Sequence, residues 1–209
     1  MPGIENVGQW RRELIRKALF GSVFYADLDT PIPTLFDPAS GELQPLPPDW
    51  VDVGYLTSDG VSFGRAMDSS DVESWQATEP TRSDPISDVS TAVFTMQETN
   101  PYSVALYEGI PLSELGDLGD PWQWDKPANA VQPERRFLFI SQDGSGSDAI
   151  YVARLYPRGK VISTEDETHN KESAIQRGVT VQAYRDTALQ TAVRTWVDGP
   201  GWRKLIGGS

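Results

Sequence analysis

The sequence predicts a mainly β protein, an antiparallel sandwich or barrel with one short flanking helix. Three observations predict it. From Ser22 onward, short runs rich in Val, Ile, Phe, Tyr and Thr recur, bounded by Gly, Pro, Asn, Asp or Ser, the pattern of strands joined by turns. Several of these runs alternate apolar and polar residues with period two, as strands half-buried on a core do. One stretch, Asn100 to Gly109, carries the start and stop signals of a helix.

The elements follow in order. Residues 7–19 place Val7, Trp10, Leu14, Ile15 and Ala18 at helical spacing, with Arg11, Arg12, Arg16 and Lys17 between them, which reads as an amphipathic helix or a basic arm. Ser22 to Ala26 is a strand, since Val, Phe and Tyr favour pleated surfaces. Residues 30–48 hold six of the 16 prolines and form a loop. Trp50 to Leu56 resumes as a strand, and Ser58-Asp59-Gly60 has the residues of a tight hairpin turn. Val72 to Thr78 is the next strand. Glu79 to Pro85 is polar and turn-rich, so it projects from the sheet as a hairpin tip or open loop.

In the strand from Asp88 to Gln97, Ala92, Phe94 and Met96 share one face and Thr91, Val93, Thr95 and Gln97 the other. Asn100 caps a helix that opens on Pro101 and ends at Gly109. Residues 108–125 carry Glu108, Glu114, Asp117, Asp120 and Asp125 without a base, with Trp122 and Trp124 near the end, and read as a surface excursion. Arg136 to Gln142 is apolar on both faces, as a central, doubly covered strand would be. Strands at Ile150–Tyr156, Lys160–Thr164, Ile175–Tyr184 and Leu189–Val197 complete the sheet. The tail after Gly199 is tethered by Trp202. The expected organisation is one domain over 1–209, with an N-terminal arm (1–20), a proline-rich loop (30–48) and a C-terminal tail (199–209).

Composition narrows function. The chain has 30 acidic and 18 basic residues, a formal charge of -12. Such a surface repels phosphates, which argues against a sequence-reading nucleic-acid binder. The absence of cysteine removes disulfides, thiolate metal sites and thiol nucleophiles together. No apolar run approaches the roughly 18 residues of a membrane-spanning helix. Arg16 and Lys17 interrupt what would be the apolar core of an export signal behind Arg11-Arg12. With seven each of Trp, Tyr and Phe, the chain can build a core.

Chemical motifs point away from catalysis. Gly144-Ser-Gly-Ser-Asp-Ala149 matches a dinucleotide fingerprint, but the following Ile150-Tyr-Val-Ala-Arg-Leu-Tyr156 has strand character, and the fingerprint must open a helix. It reads as a hairpin turn. His169 is the single histidine, too few for a multi-histidine zinc site. The acids beside it lack the spacing and central Gly of a calcium loop. No catalytic, metal or cofactor-binding residue is expected. Trp122 and Trp124 are the one pair that could stack on a sugar, which leaves a carbohydrate-binding β-sandwich as the alternative function.

The order of motifs from Trp50 to Gly109 carries a resemblance. GYLTSDG at 54–60, Asp71-x-x-x-Trp75, the Thr-rich strand at 91–95, Glu98-Thr-Asn-Pro101 and Leu106-Tyr-Glu-Gly109 follow one another. Together they resemble the major tail proteins of bacteriophages with long, non-contractile tails. The resemblance implies a tail-tube-like fold and a structural virion protein, not an enzyme, that self-assembles into stacked hexameric rings. It implies the chain itself, a tape-measure protein, and tail terminator and tail tip proteins as partners. The location implied is the virion tail, after assembly in the host cytoplasm, and genome DNA passes through the lumen without specific binding. On this reading Glu79, Thr81, Arg82, Ser83 and Asp84, together with Arg11 and Arg12, are the expected inter-subunit contacts. Gln76, Thr91, Thr95, Gln176, Thr180 and Gln182 are the expected lumen-facing residues.

Overall fold

A computed structural model describes residues 8, 10–114, 121–126 and 131–207. Eight strands form one antiparallel sheet: β1 (Phe20–Asp27), β2 (Val51–Asp52), β3 (Leu56–Val72), β4 (Arg82–Met96), β5 (Arg135–Asp143), β6 (Ile150–Thr164), β7 (Arg177–Ala183) and β8 (Arg194–Asp198). Helix α1 (Pro101–Glu108) follows β4, and α2 (Pro200–Gly207) follows β8. The strand order is β2-β1-β5-β6-β7-β4-β3, with β8 added against β6.

Strand β6 joins the two halves of this sheet. Its first part pairs with β5 on one edge and with β8 on the other, and its last part, from Gly159, pairs with β7 on the edge that β8 used. The change of partner falls at Pro157-Arg158-Gly159, beside a register shift against β5. Proline donates no ladder hydrogen bond and such irregularities bend a strand, so the sheet turns a corner here. A Cβ on Gly159 would lie 2.6 Å from the Phe137 ring. Only glycine permits that approach of strand to ring.

The curled sheet buries its inner face. Val23 and Tyr25 of β1 and Phe137 and Phe139 of β5 meet Ala92, Phe94 and Met96 of β4 and Val179 and Val181 of β7. The Phe139 ring is central, with edge-on contacts at 5.3 Å to Phe63, 6.0 Å to Phe94 and 5.2 Å to Tyr156. On the opposite face of β1, β5 and β6, Ala26, Leu138, Ile140, Ala153 and Leu155 are covered by Leu35, Phe36 and Trp50. Leu35 and Phe36 belong to the proline-rich loop and Trp50 follows it, so this segment serves as the lid of a second core layer. Strand β5 is thus buried on both faces, as its two-sided apolar pattern predicts.

Helix α1 has the expected ends. Asn100 accepts a hydrogen bond from the Ser103 N–H at 2.7 Å, and Ser103 answers as the reciprocal partner of a capping box. Pro101 occupies the first turn, and Gly109 closes the helix at φ 78°. A left-handed residue there favours glycine. Beneath the helix, the buried Arg135 donates to the carbonyls of Ala105 and Ile110 and lies 4.9 Å from the Tyr25 ring centre. Burial pulls its pKa down, against the nearby Tyr25 and Asp27.

Four expected elements differ. Ser58-Asp59-Gly60 is no hairpin turn but a bulge within β3, where five residues advance against two of β4 between the Leu56–Met96 and Val61–Phe94 pairs. Gly60 takes φ 65° there. The strand expected at Val72–Thr78 stops at Val72, so Trp75 and Gln76 lie in a turn. Residues 10–19 form only a short 3-10 turn at Arg12–Leu14 and then an irregular run, because Trp10 and Ile15 stay exposed, with no core among the described residues to cover them. A helix of this length is marginal without such packing; Val7 lies outside the described residues. The tail after Gly199 is helical, held by an Arg203–Asp198 ion pair at 2.8 Å, an Arg203 hydrogen bond to the Pro38 carbonyl and a Lys204–Asp148 pair at 2.9 Å.

Smaller differences are of extent. Trp50–Leu56 yields only the two residues of β2 before Gly54 breaks it at φ 88°. The strands expected at 150–156 and 160–164 are one, and that at 189–197 begins only at Arg194.

Candidate assembly surfaces

The β3–β4 hairpin leaves the body of the sheet. Strand β4 pairs with β7 only from Thr91 to Met96. Beyond Gly64 and Thr91 the two strands pair with each other alone, out to Val72 and Arg82. Eight further residues at about 3.4 Å each make an arm roughly 27 Å long. Most of its residues are exposed on both faces. Polar cross-links hold it: Arg65 grips Asp88 through two bonds of 2.8 and 2.7 Å, and Ser87 donates to Asp68 at 2.8 Å. Each hydrogen-bonded partner shifts the other, so Arg65 titrates higher and Asp88 lower than usual. Such exposed pairs contribute little to stability. Pro85 is tolerated because the ladder is already irregular between Asp68 and Ser69.

The arm carries apolar side chains that none of the described residues covers. Met67, Val72 and Ile86 are exposed, and Trp75 in the turn is 100% exposed. Four large apolar side chains exposed on one hairpin make it a candidate interaction surface.

The expected contact residues fall on this arm and on the N-terminal run. Glu79 and Thr81 lie in the turn, and Arg82, Ser83 and Asp84 open β4. Thr81 closes the turn through Ser74 and the Val72 carbonyl, and Arg82 pairs with Asp84 at 2.6 Å. Arg11 and Arg12 are exposed on the N-terminal run. Among the described residues no hydrogen bond or ion pair joins those two arginines to the arm of the same chain.

The second surface is the outer face of β4 and β7. Register places Thr91 opposite Gln182, Val93 opposite Thr180 and Thr95 opposite Gly178. Beyond them, Lys160 of β6 faces Gln182 and Ser163 faces Thr180. Period two puts Thr91, Thr95, Thr180 and Gln182 on one face, and Gln176 shares their parity just before β7 begins. Val93, half in solvent, sits at the centre of this face. Gln76 is not part of it, since it lies in the turn of the arm.

Other candidate groups have structural roles. The segment at 144–149 turns β5 into β6 through a single 3-10 turn. His169 meets Glu167, whose second oxygen pairs with Arg177; that strap fixes the loop before β7. Trp122 and Trp124 stack on each other at 5.0 Å and 27°, which turns one face of each ring to its neighbour instead of to a sugar. Asp117 and Asp120 lie outside the described residues.

A sequence profile of phage tail tube proteins matches residues 11–200. The chain belongs to the phage tail tube protein family. That tail tube profile covers β1 through β8, the arm included. Two solved structures contain chains to which this one is similar: one from the cap that terminates the tube of the anti-feeding prophage, and one from that prophage's baseplate. The first is 11% identical, with 91% of this chain and 96% of that one covered and a TM-score of 0.48. The second is 8% identical, covering 84% and 91%, with a TM-score of 0.43. No curated protein matches the tail tube protein's sequence. The family makes it a structural tail protein.

Proposed function

We propose that this chain is the repeating subunit of the tube itself, closing into hexameric rings that stack into a conduit for genome DNA. The observation that carries this reading is the β3–β4 arm, a two-stranded ribbon exposed on both faces. An isolated hairpin is marginally stable in water; one kept this long gains its purpose from a neighbour. Open sheet edges point the same way, since β3 and β8 each have a side that no other described strand pairs. Joining edges between copies removes a hazard that a monomer would have to mask. A heterologous contact that closes gives a ring, and one that does not gives a filament.

Within the tube, the Thr91, Thr95, Thr180, Gln182 face lines the lumen, with Gln176 at its margin. Its Thr and Gln side chains are neutral, and Lys160 opposite Gln182 is the cation that register adds to them, so each copy offers a passing duplex few phosphate contacts. Glu79, Thr81, Arg82, Ser83 and Asp84 on the arm, and Arg11 and Arg12 on the N-terminal run, contact neighbouring copies. The tape-measure protein occupies the lumen before DNA, and terminator and tip proteins close the two ends. Assembly takes place in the host cytoplasm.

Electron microscopy of the concentrated protein, alone and with its tape-measure partner, tests the reading. Rings or tubes are expected. A species that stays monomeric under both conditions overturns it. The lumen assignment has its own test. Lysines at Thr91, Thr95 and Thr180 should confer salt-sensitive duplex binding on tubes that still form, and variants that cannot assemble would place that face in an interface instead.

A further inference from the structure

We infer that the Trp75 turn of one copy seats in an apolar groove of another, and that this contact sets the direction of stacking. The inference rests on the tube-subunit reading and names the receptor that the arm requires. The groove has a volume of about 1070 Å³ and lies between the start of β1, the root of β3 and the proline-rich lid. Its floor includes Phe63 and Phe139, and its rim exposes Phe20 and Tyr55 at 68% and 77%. Arg154 lies over the Phe63 ring at 4.3 Å.

Three features fit this groove to the turn. The first is a backbone edge that no other described strand pairs. Strand β2 covers β1 only at Phe24 and Tyr25, so Phe20 to Ser22 pair with β5 on one side and present the other to the groove. An incoming extended segment can add to such an edge through main-chain hydrogen bonds while its side chains fill pockets. The second is an unplaced anchor. Trp75 is the most exposed aromatic of the described residues, and tryptophan in a desolvated pocket is the commonest kind of binding hot spot. The third is charge. The turn is flanked by Asp71, Glu73 and Glu79, while the chain entering the groove carries Arg11, Arg12, Arg16 and Lys17. Asp52 and Glu98 line another part of the groove, so an orientation that sets the turn's acids toward the basic run, and away from these two, avoids like-charge contact.

The occupant must come from a second copy. Val72 lies nine residue steps beyond Phe63 in the same ribbon, and at about 3.4 Å each these hold the turn roughly 30 Å from its own groove. A projecting group that fits a recess elsewhere on an identical molecule makes a heterologous contact, which propagates in one direction.

The chain contains no cysteine, so introduced thiols report the contact without background. Gln76→Cys beside the anchor and Ser58→Cys at the groove mouth leave Trp75 and the groove floor intact. The double variant, oxidised under assembly conditions, should yield a ladder of covalent dimers, trimers and longer species. Each single variant should give at most dimers. Separately, Trp75→Ala should raise the concentration needed for assembly by about tenfold or more, the size expected for a tryptophan hot spot, while Trp75→Phe restores most of it. A wild-type protein that forms tubes while the double variant gives no ladder, or while Trp75→Ala assembles normally, overturns the groove contact and leaves the tube reading standing. A wild-type protein that never assembles overturns both.

Discussion

Strand β4 belongs to two regions that obey different rules. From Thr91 to Met96 it lies in the body, and every second side chain is buried. From Arg82 to Ser90 it lies in the arm, where no side chain is buried. The same strand therefore contains a segment whose shape is set by packing and one whose shape is set by pairing alone. The body can be damaged by any change of volume. The arm tolerates most substitutions as a fold and depends on its neighbours for function.

The sharpest test of this contrast is in the core. Phe139→Ala removes the ring shared by three edge-on aromatic contacts and a stacked one with Phe137, and a loss of about 3–5 kcal/mol is expected by chemical denaturation. A loss below about 1 kcal/mol would mean that the two sheet halves are less interlocked than their geometry implies. Gly159→Val should cost about 1–3 kcal/mol by forcing the corner of β6 away from Phe137. Asn100→Ala removes the cap of α1 and should cost about 1–2 kcal/mol, with Asn100→Asp keeping the acceptor.

Acid sharpens the comparison further. Hydrogen bonds from Ser40 and Ala39 hold the Asp37 carboxyl below its usual pKa, and Arg203 does the same for Asp198. A carboxylate depressed in the folded state stabilises the fold above its unfolded pKa of about 3.9, and that contribution is lost as pH falls through the folded value. Amides of α2 and of the 37–43 loop should therefore gain hydrogen exchange below about pH 4. Exchange in the inner β5 strand should change less over the same range. The smallest effect is expected in the arm. Met67→Ser or Arg82→Glu should shift stability by no more than about 0.5 kcal/mol, and Arg82→Glu should still prevent tube growth. Normal tubes from Arg82→Glu would reduce the arm's end to a solvent turn.

Legibility in the sequence follows the same division. Where residues face a core, local pattern and structure agree. Ala92, Phe94 and Met96 announce a buried face, Phe137 to Ile140 a doubly covered strand, and Asn100, Pro101 and Gly109 a capped helix. Thr91 with Thr95, and Thr180 with Gln182, were legible as polar faces of their own strands, because period two is a local property; that the two faces adjoin follows from the β4–β7 register. Where tertiary contacts decide, pattern fails. Ser58-Asp59-Gly60 has the chemistry of a hairpin turn, yet β3 keeps its partner and absorbs the three residues as a bulge. Trp75 reads as a strand residue because alternation cannot reveal that a ladder has ended. Helix α2 was hidden by its opening Gly-Pro-Gly, and its support comes from Asp198, Asp148 and the Pro38 carbonyl, all supplied by other parts of the fold. The covering role of the proline-rich loop was likewise invisible, since Leu35, Phe36 and Trp50 show no period.

The pairing of β1 with β5 has a consequence in time. Phe20 meets Gln142 across most of the chain, whereas Val72 meets Arg82 across one turn. Closure of a long loop must precede the first pairing, so it forms late, while the hairpin can form early. The groove is walled by β1 and β5; the Trp75 turn is not. A nascent or half-folded chain would thus display the plug well before it owns a socket. Polymer growth would then recruit only molecules that have completed their longest-range pairing, which makes folding order itself a filter against defective subunits.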